Sequence, residues 1–253
     1  MKQILFATLL LIVSYSTAEA QNTFEQDVDY SHTELRCDNL QEVQSYLPVT
    51  LTLTSGNSSL ISIDYPTTVE PYVNFRIWND VLIIEPIDDT ITERDLMPLG
   101  QQTHILVTAS PSQINAITNT SDMNLILDSD TFADQLEIIN TLSLGVTGNR
   151  IKASDEISIT NVGTLTMYVE NFDTDTLKWV NSGYMFVDGT TTATLIEQNS
   201  MGIENTKLEV NCHNLEVVSA GSGIIEYCGT ADVVNITSMG NATIRTSGLN
   251  VEP

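Results

Sequence analysis

The sequence repeats the stretch Leu136-Glu-Ile-Ile-Asn140 as Ile157-Ser-Ile-Thr-Asn161 and again as Leu177-Lys-Trp-Val-Asn181. In each copy an apolar residue is followed four positions later by a polar one. The same spacing continues in the pairs Leu195/Asn199, Leu215/Ser219 and Val233/Thr237. Successive polar members are 18 to 21 residues apart. A period near 20 built from strand-forming residues predicts the stacked coils of a solenoid.

Within each repeat, the alternation of a strand sends the first, third and fifth side chains inward. The fifth position should therefore form a polar turn column whose side chains hydrogen-bond from coil to coil. Its predicted members are Asn140, Asn161, Asn181, Asn199 and Ser219. A glycine follows each of them, and glycine permits the positive φ that a sharp corner needs. The predicted corner glycines are Gly145, Gly163, Gly183, Gly202 and Gly223.

Strand signals begin well before the repeats. Alternating runs at 49–53, 60–63, 73–78 and 81–84 are separated by turn residues and predict three or four strands. Residues 21–46 are polar and acidic, which is typical of a lead-in segment. Residues 85–103 predict an acidic loop. We therefore expect a single β-helix domain over residues 47–253.

The first 20 residues have the features of a secretory signal peptide. Lys2 precedes the apolar run Ile4 to Val13, and Ala18-Glu19-Ala20 is a small-x-small cleavage site. The run is too short to span a bilayer, and no later segment has 18 consecutive apolar residues. We therefore expect an exported protein, in the periplasm, at the cell surface or secreted, with no membrane span.

The formal net charge of −24 limits the classes of partner that the protein can bind. Such a surface repels nucleic acid and anionic lipid. It is compatible with a glycan or a surface protein as partner, and the sequence predicts no oligomeric state. Removing residues 1–20 takes away Lys2 and Glu19, so the charge of the mature chain is the same.

The three cysteines, Cys37, Cys212 and Cys228, form no C-x-x-C pair, so a zinc site is unsupported. Cys212 and Cys228 are 16 residues apart, slightly less than one coil. They could approach each other on neighbouring coils and form a disulfide after export. Buried free thiols are the alternative.

Few residues suggest catalysis, and we expect a protein that is not an enzyme and has no cofactor. The histidines, His32, His104 and His213, are far apart in the chain and are interpreted as structural. The acidic loop could bind Ca²⁺, although it lacks the spacing of a calcium-binding loop. A calcium-stabilised scaffold is therefore one alternative hypothesis.

A second alternative is a carbohydrate-active β-helix enzyme of the polysaccharide lyase type. It would be centred on Asp173, Asp175 and Lys178, with carboxylates to hold Ca²⁺ and a lysine to abstract a proton. An exposed Trp78 beside Tyr72 could also stack on a sugar. For Trp78 the sequence favours packing in the core or at a sheet edge.

The stretch from Leu215 to Ile236, with its Ala220-Gly-Ser-Gly223 corner, resembles the repeat of the head GIN domain family of auto-transporter adhesins. The runs at 49–55, 60–64 and 73–84 are similar to the opening of that family. The resemblance covers about residues 47–250. It implies a right-handed parallel β-helix, an exported protein and, from the family's name, adhesion. It implies no catalytic or ligand-binding residues, so we expect any function to lie off the stacked columns.

Overall fold

A computed structural model of the chain describes residues 29–54, 59–88, 105–128 and 132–251. Of these described residues, 75% are in strands and 3% are in helix, which confirms the all-β class. The predicted signal peptide, the beginning of the predicted lead-in and most of the predicted acidic loop lie outside the described residues. Within the described ranges, no helix is long and apolar enough to cross a membrane.

The described residues form eighteen strands and one 3-10 helix. In chain order these elements are β1 (Tyr30–Arg36), β2 (Glu42–Ser45), β3 (Val49–Leu53), β4 (Leu60–Pro66), η1 (Thr67–Tyr72), β5 (Val73–Trp78), β6 (Val81–Pro86), β7 (Ile105–Ala109), β8 (Ala116–Asn119), β9 (Asp122–Leu127), β10 (Gln135–Asn140), β11 (Ser143–Lys152), β12 (Glu156–Asn161), β13 (Thr164–Asp173), β14 (Thr176–Asn181), β15 (Tyr184–Ser200), β16 (Ile203–Ser219), β17 (Ser222–Ser238) and β18 (Asn241–Val251).

From β8 onward, each strand pairs in parallel with the strand one coil later in the chain. β10 lies between β8 and β12, and β11 lies between β9 and β13. The coils are about 20 residues long and make about seven turns. This confirms the predicted β-helix. Inward apolar side chains from successive coils form one continuous core along the solenoid.

At the N-terminal end, the order of the coils differs from the order of the chain. β2 lies between β6 and β8, and β3 lies between β7 and β9. Antiparallel pairs close this end, because β4 pairs with β1 and β7 while β5 pairs with β6. The predicted lead-in is therefore wrong for residues 30–45, since β1 and β2 are strands of the domain.

The polar turn column is a hydrogen-bonded ladder of asparagines. The Nδ2 of Asn119 donates to the Oδ1 of Asn140 at 2.8 Å, and the same 2.8 Å bond links Asn140 to Asn161 and Asn161 to Asn181. Each amide also donates to a backbone carbonyl of the next coil, as Asn161 does to Tyr184 O at 2.8 Å. The ladder satisfies turn groups that would otherwise be buried without partners.

One predicted member of this column is wrong. Asn181 pairs in register with Ser200, while Asn199 is exposed. The error is a one-residue slip that arose because Leu195 and Ile196 are both apolar and either could begin the repeat; it is Ile196 that is buried. Ser219 follows Ser200 in the column.

The corner glycines lie two residues after the polar column, where two coils approach each other closely. The members are Gly163, Gly183, Gly202, Gly221 and Gly240. A β-carbon on Gly183 would overlap the carbonyl oxygen of Gly163, and one on Gly202 would overlap that of Gly183. The predicted reason, a positive φ, is therefore wrong for this column. Glycine is required because a side chain would separate the coils.

Two of the predicted corner glycines do not belong to this column. Gly145 lies within β11, beside Asn124. Gly223 lies two residues past its corner, in register with Glu204, and has a φ of +123°. The repeat signal placed them at the corner because glycines occur at several positions of each coil.

Candidate functional site

The cysteines do not form the predicted disulfide. All three are free thiols. Cys212 pairs in register with Ala231, whereas Cys228 pairs with Glu209. Cys228 is thus displaced by three residues along the strand, roughly 10 Å, from the position that would face Cys212. The α-carbons of a disulfide are less than about 7 Å apart. Burial raises the pKa of the Cys212 thiol to about 11, which makes it an unreactive thiol at neutral pH.

The predicted carboxylate and lysine cluster is not formed. The Nζ of Lys178 lies 3.0 Å from Glu156 Oε2 and 3.5 Å from Glu197 Oε2, on neighbouring coils. Asp173 instead lies 3.6 Å from the Nζ of Lys152. The hydrogen bond that Lys178 donates to Glu156 raises the pKa of Lys178, so this amine remains protonated. A protonated lysine cannot abstract a proton.

Asp173 and Asp175 lie in a shallow groove with His213 and Asp232, of volume about 410 Å³, which we call the Asp175 groove. The Nδ1 of His213 is 2.5 Å from Asp232 Oδ2, and more than half of the histidine side chain is exposed. His32 forms a similar exposed pair with Asp64 at 2.8 Å. Solvated pairs of this kind are common surface features. His104 lies outside the described residues.

No metal centre is visible in the part of the chain that the structure describes, because no three His, Cys, Asp or Glu side chains are grouped closely enough to bind an ion. The acidic loop to which the calcium hypothesis applies is described only as far as Asp88. A calcium site in that loop stays a prediction.

The core contains a buried polar cluster that the sequence analysis missed. Glu204 is 0% exposed and lies in an inward column between Met185 and Gly223. Its Oε1 accepts hydrogen bonds from Trp179 Nε1 at 3.1 Å and from Gln198 Nε2 at 2.8 Å.

Two hydroxyl groups complete the cluster. Thr206 Oγ1 donates to Glu204 Oε1 at 2.5 Å, and the Tyr227 hydroxyl donates to Gln198 Oε1. Glu204 Oε2 has no hydrogen-bond partner among the described residues. Burial raises the pKa of Glu204, because the charged form loses its water.

The sequence does carry a signal for this cluster. Leu165 and Met185 each follow a corner glycine by two residues, and Glu204 follows Gly202 by the same interval. A charged residue in an aliphatic column marks a buried polar group. Because Glu204 is completely enclosed, the cluster is a structural feature that no ligand reaches.

The second groove lies at a bulge within β13 and is better suited to a ligand. We call it the Tyr168 groove; its volume is about 590 Å³ and more of its lining is apolar. Tyr168 is 54% exposed, and its ring centroid lies 5.2 Å from that of Phe186, so that Phe186 supports the exposed ring.

Local backbone features form this groove. Val169 pairs with Gly189 and Asn171 with Thr190, so Glu170 is an extra residue in β13. Such a bulge bends the strand and redirects a side chain. Gly148 and Gly189 flank Val169 on either side, so the floor of the groove has few side chains.

The polar lining combines an amide, a hydroxyl, three carboxylates and one amine. These groups belong to Asn149, Thr190, Glu170, Asp188, Glu209 and Lys207. Thr190 Oγ1 donates to the carbonyl of Glu170 at 2.6 Å, which orients the bulge. The groove thus places one supported aromatic ring beside several hydrogen-bonding side chains.

Trp78 and Tyr72 do not form a single platform. Trp78 is 62% exposed, so it does not pack in the core; it ends β5, for which the described residues show pairing with β6 alone. Tyr72 is 43% exposed but precedes β5, whereas Trp78 ends it. Six residues of strand separate the two rings by about 20 Å.

Comparisons with known proteins agree with this architecture. Residues 135–253 match the family model described as "Putative auto-transporter adhesin, head GIN domain". No curated protein matches the sequence significantly.

Solved structures resemble the whole described fold. A "putative adhesin" from Bacteroides fragilis superposes with a TM-score of 0.65 and 13% identity, over 86% of this chain and 96% of that one. Two further structures titled putative adhesin come from Parabacteroides. The one from P. distasonis has a TM-score of 0.57, 15% identity and coverage of 87% and 97%. The one from P. merdae has a TM-score of 0.50, 16% identity and coverage of 86% and 95%. At these identities the likeness shows a shared fold.

Proposed function

We propose that this chain, whose residues 135–253 match the family model described as "Putative auto-transporter adhesin, head GIN domain", is an exported adhesion module that binds glycans in the Tyr168 groove. The match to a family of putative adhesins supports a role at a cell surface. The geometry of the Tyr168 groove supports glycans as the ligand class. The proposed role is binding without catalysis, with the β-helix as a rigid support.

The main observation that points to a glycan ligand is the exposed ring of Tyr168, which packs on Phe186 and lies beside a row of hydrogen-bonding side chains. A sugar ring presents an apolar face of C–H groups, which an aromatic ring can cover. Its hydroxyl groups donate to carboxylates such as Glu170 and Glu209 and accept from Asn149 and Lys207. Ligand sites usually combine an apolar surface with a few placed polar groups in this way.

The charge of the protein narrows the class of glycan. The groove contains three carboxylates and one amine, and the whole chain has a net charge of −24. Sulfated or uronic acid polymers would be repelled. We therefore propose neutral glycans or glycans that carry an amine.

A glycan array followed by titration calorimetry tests this proposal. We expect the protein to bind neutral or amine-bearing glycans and not sulfated ones. Tyr168→Ala should weaken binding by about five- to 150-fold, because stacking on an aromatic ring contributes on the order of 1–3 kcal/mol. Tyr72→Ala is the matched control, since Tyr72 is similarly exposed but lies outside the groove, and it should bind like the wild type. Equal losses in both variants, or binding only to sulfated glycans, would refute the proposal.

Export is tested separately. We expect the mature protein recovered from a cell envelope or culture medium to begin near Gln21, as determined by mass spectrometry of its N-terminal peptide. Recovery of the intact Met1 terminus from the cytoplasm alone would contradict an exported adhesion module.

A further inference from the structure

The outward face of the last four coils carries a neutral surface in a strongly acidic protein. This four-coil face consists of the outward residues within 182–188, 201–207, 220–226 and 239–245, and its coils are aligned by the registers of β15 to β18. Each coil contributes four outward positions, which stack into four columns. The face carries two acidic and two basic side chains, whereas the chain has 33 acidic and 9 basic residues.

The first column lies at the corner and alternates between small and large side chains. It contains Ser182, Met201, Ala220 and Met239 in successive coils. Met201 is 67% exposed and Met239 is 72% exposed. Exposed apolar side chains grouped on a surface mark interaction sites.

The alternation of small and large side chains in this first column is self-complementary when the order of the coils is reversed. If a second copy faces the first with its coils in the opposite order, Met201 meets Ala220 of the other copy, and Met239 meets Ser182. Each large side chain then faces a small one. A two-fold axis that lies in the face, midway between the coils of Met201 and Ala220, produces both contacts at once.

The charges of the fourth column are complementary under the same two-fold rotation. It contains Asp188, Lys207, Glu226 and Arg245 in successive coils. Reversal places Asp188 opposite Arg245 of the other copy and Lys207 opposite Glu226. Every charge on the face then meets an opposite charge, and interfaces use such complementarity to set register.

The two middle columns also pair large side chains with smaller or polar ones. Under the same reversal Ile203 faces Ser222, and Phe186 faces Thr243. Elsewhere two copies with a net charge of −24 repel each other, but on this face they do not.

We propose that this face is the interface of a reversible homodimer, in which two copies pack their four-coil faces together with the coils in opposite order. Four coils at about 4.8 Å and seven residues at about 3.3 Å give a footprint of roughly 400 Å² per copy. A standard interface buries about 800 Å² per partner, so the dimer should be weak, with a Kd of micromolar order or above.

The dimer face adjoins the proposed glycan site, and Asp188 and Lys207 belong to both. Tyr168 lies one coil before the face, and Asp188 and Lys207 form the border between the two surfaces. Two grooves on one dimer would let a surface with repeated glycans be bound with increased avidity. Tyr168→Ala should therefore weaken glycan binding and leave the dimer unchanged, which separates the two proposals.

Sedimentation equilibrium of the full chain between about 1 and 500 µM, at about 0.15 M salt to screen the net charge, tests the dimer. We expect a monomer–dimer equilibrium. Ile203→Glu should weaken it at least tenfold, because two carboxylates would enter the centre of the interface. Leu142→Glu is the matched control, since Leu142 is exposed on the same corner but two coils before the face, and it should dimerise like the wild type.

A charge exchange tests the register. Lys207→Glu and Glu226→Lys should each weaken the dimer about tenfold, and the double variant should restore it, because both pairs are then reversed. Circular dichroism checks that each variant is folded. If Ile203→Glu does not fold, the charge-exchange variants alone test the dimer. A wild type that stays monomeric at all concentrations, larger oligomers without a dimer, or a double variant without recovery would each overturn the proposal.

Discussion

The coils from Asn119 to Asn181 and the coils from Gln198 to Tyr227 bury their polar side chains in different ways. In the first region, an asparagine ladder satisfies its members along the turn, and the facing columns are aliphatic. In the second region the ladder changes to serine, and a carboxyl group enters the core with one oxygen unpartnered. The same backbone repeat thus supports one region whose buried side-chain polar atoms have partners among the described residues and one region in which two such atoms have none.

This difference indicates which positions hold the solenoid together. A ladder amide makes several bonds at once, so one substitution leaves several groups buried without partners. A serine in the same column makes few bonds. We therefore expect equal substitutions to have unequal effects in the two regions, and the following predictions are ordered by the expected size of the effect.

Asn161→Ala should reduce the free energy of unfolding by about 4 kcal/mol, because it removes bonds to Asn140, Asn181 and Tyr184 and leaves buried groups unpaired. Denaturant unfolding followed by circular dichroism measures it. Ser219→Ala is the control in the second region, since Ser219 Oγ has no hydrogen-bond partner among the described residues; it should change stability by less than about 1 kcal/mol. Equal effects at the two positions would contradict the comparison.

Gly183→Ala should cost about 3 kcal/mol, because its β-carbon would overlap the carbonyl oxygen of Gly163 and force two coils apart. Thermal unfolding of the variant measures it. Gly145→Ala is the matched control: its β-carbon would lie 3.1 Å from the Oδ1 of Asn124, at the end of a side chain that can move. A similar loss in both variants would mean that close approach of the coils is not what selects glycine at the corner.

Glu204→Gln should remove the part of the pH dependence of the free energy of unfolding that arises from Glu204. Burial raises the pKa of Glu204 in the folded protein above its ordinary value of 4.5. The folded state therefore holds a proton that the unfolded state releases, so this stabilisation is complete below pH 4.5 and is lost as the pH rises through the folded pKa. The slope is at most about 1.4 kcal/mol per pH unit.

The measurement is the free energy of unfolding of wild type and Glu204→Gln from pH 4 to 8. We expect the difference between them to move in favour of the variant as the pH rises. A difference that is constant with pH would show that Glu204 titrates alike in the folded and unfolded states. Using the difference removes the contribution of the many exposed carboxylates, which both proteins share.

The regular half of the fold could be predicted from the sequence because its columns repeat. The polar column was found at Asn140, Asn161 and Asn181, where the repeats contain one clear apolar start. It was missed by one residue at Ser200, because Leu195 and Ile196 offer two starts. The order of the N-terminal coils could not be predicted, since the run at Val49–Leu53 has the same alternation whichever strands lie beside it.

The candidate site was harder to predict, because it arises from a break in the repeat. The Tyr168 groove depends on the extra residue Glu170 and on Gly148 and Gly189 beside Val169. A bulge has no periodic signal, and an exposed tyrosine in a strand looks like any outward residue. The four-coil face was missed for another reason: its complementarity is apparent only after four coils are aligned in register.

Mapping a bound glycan by two-dimensional NMR tests most directly the central proposal, that the Tyr168 groove binds glycans. A glycan selected on the array would be titrated into the labelled protein. We predict that the largest shifts occur at the amides of Gly148, Glu170 and Gly189. Largest shifts around Trp78 or in the Asp175 groove, with those three amides unchanged, would contradict the account.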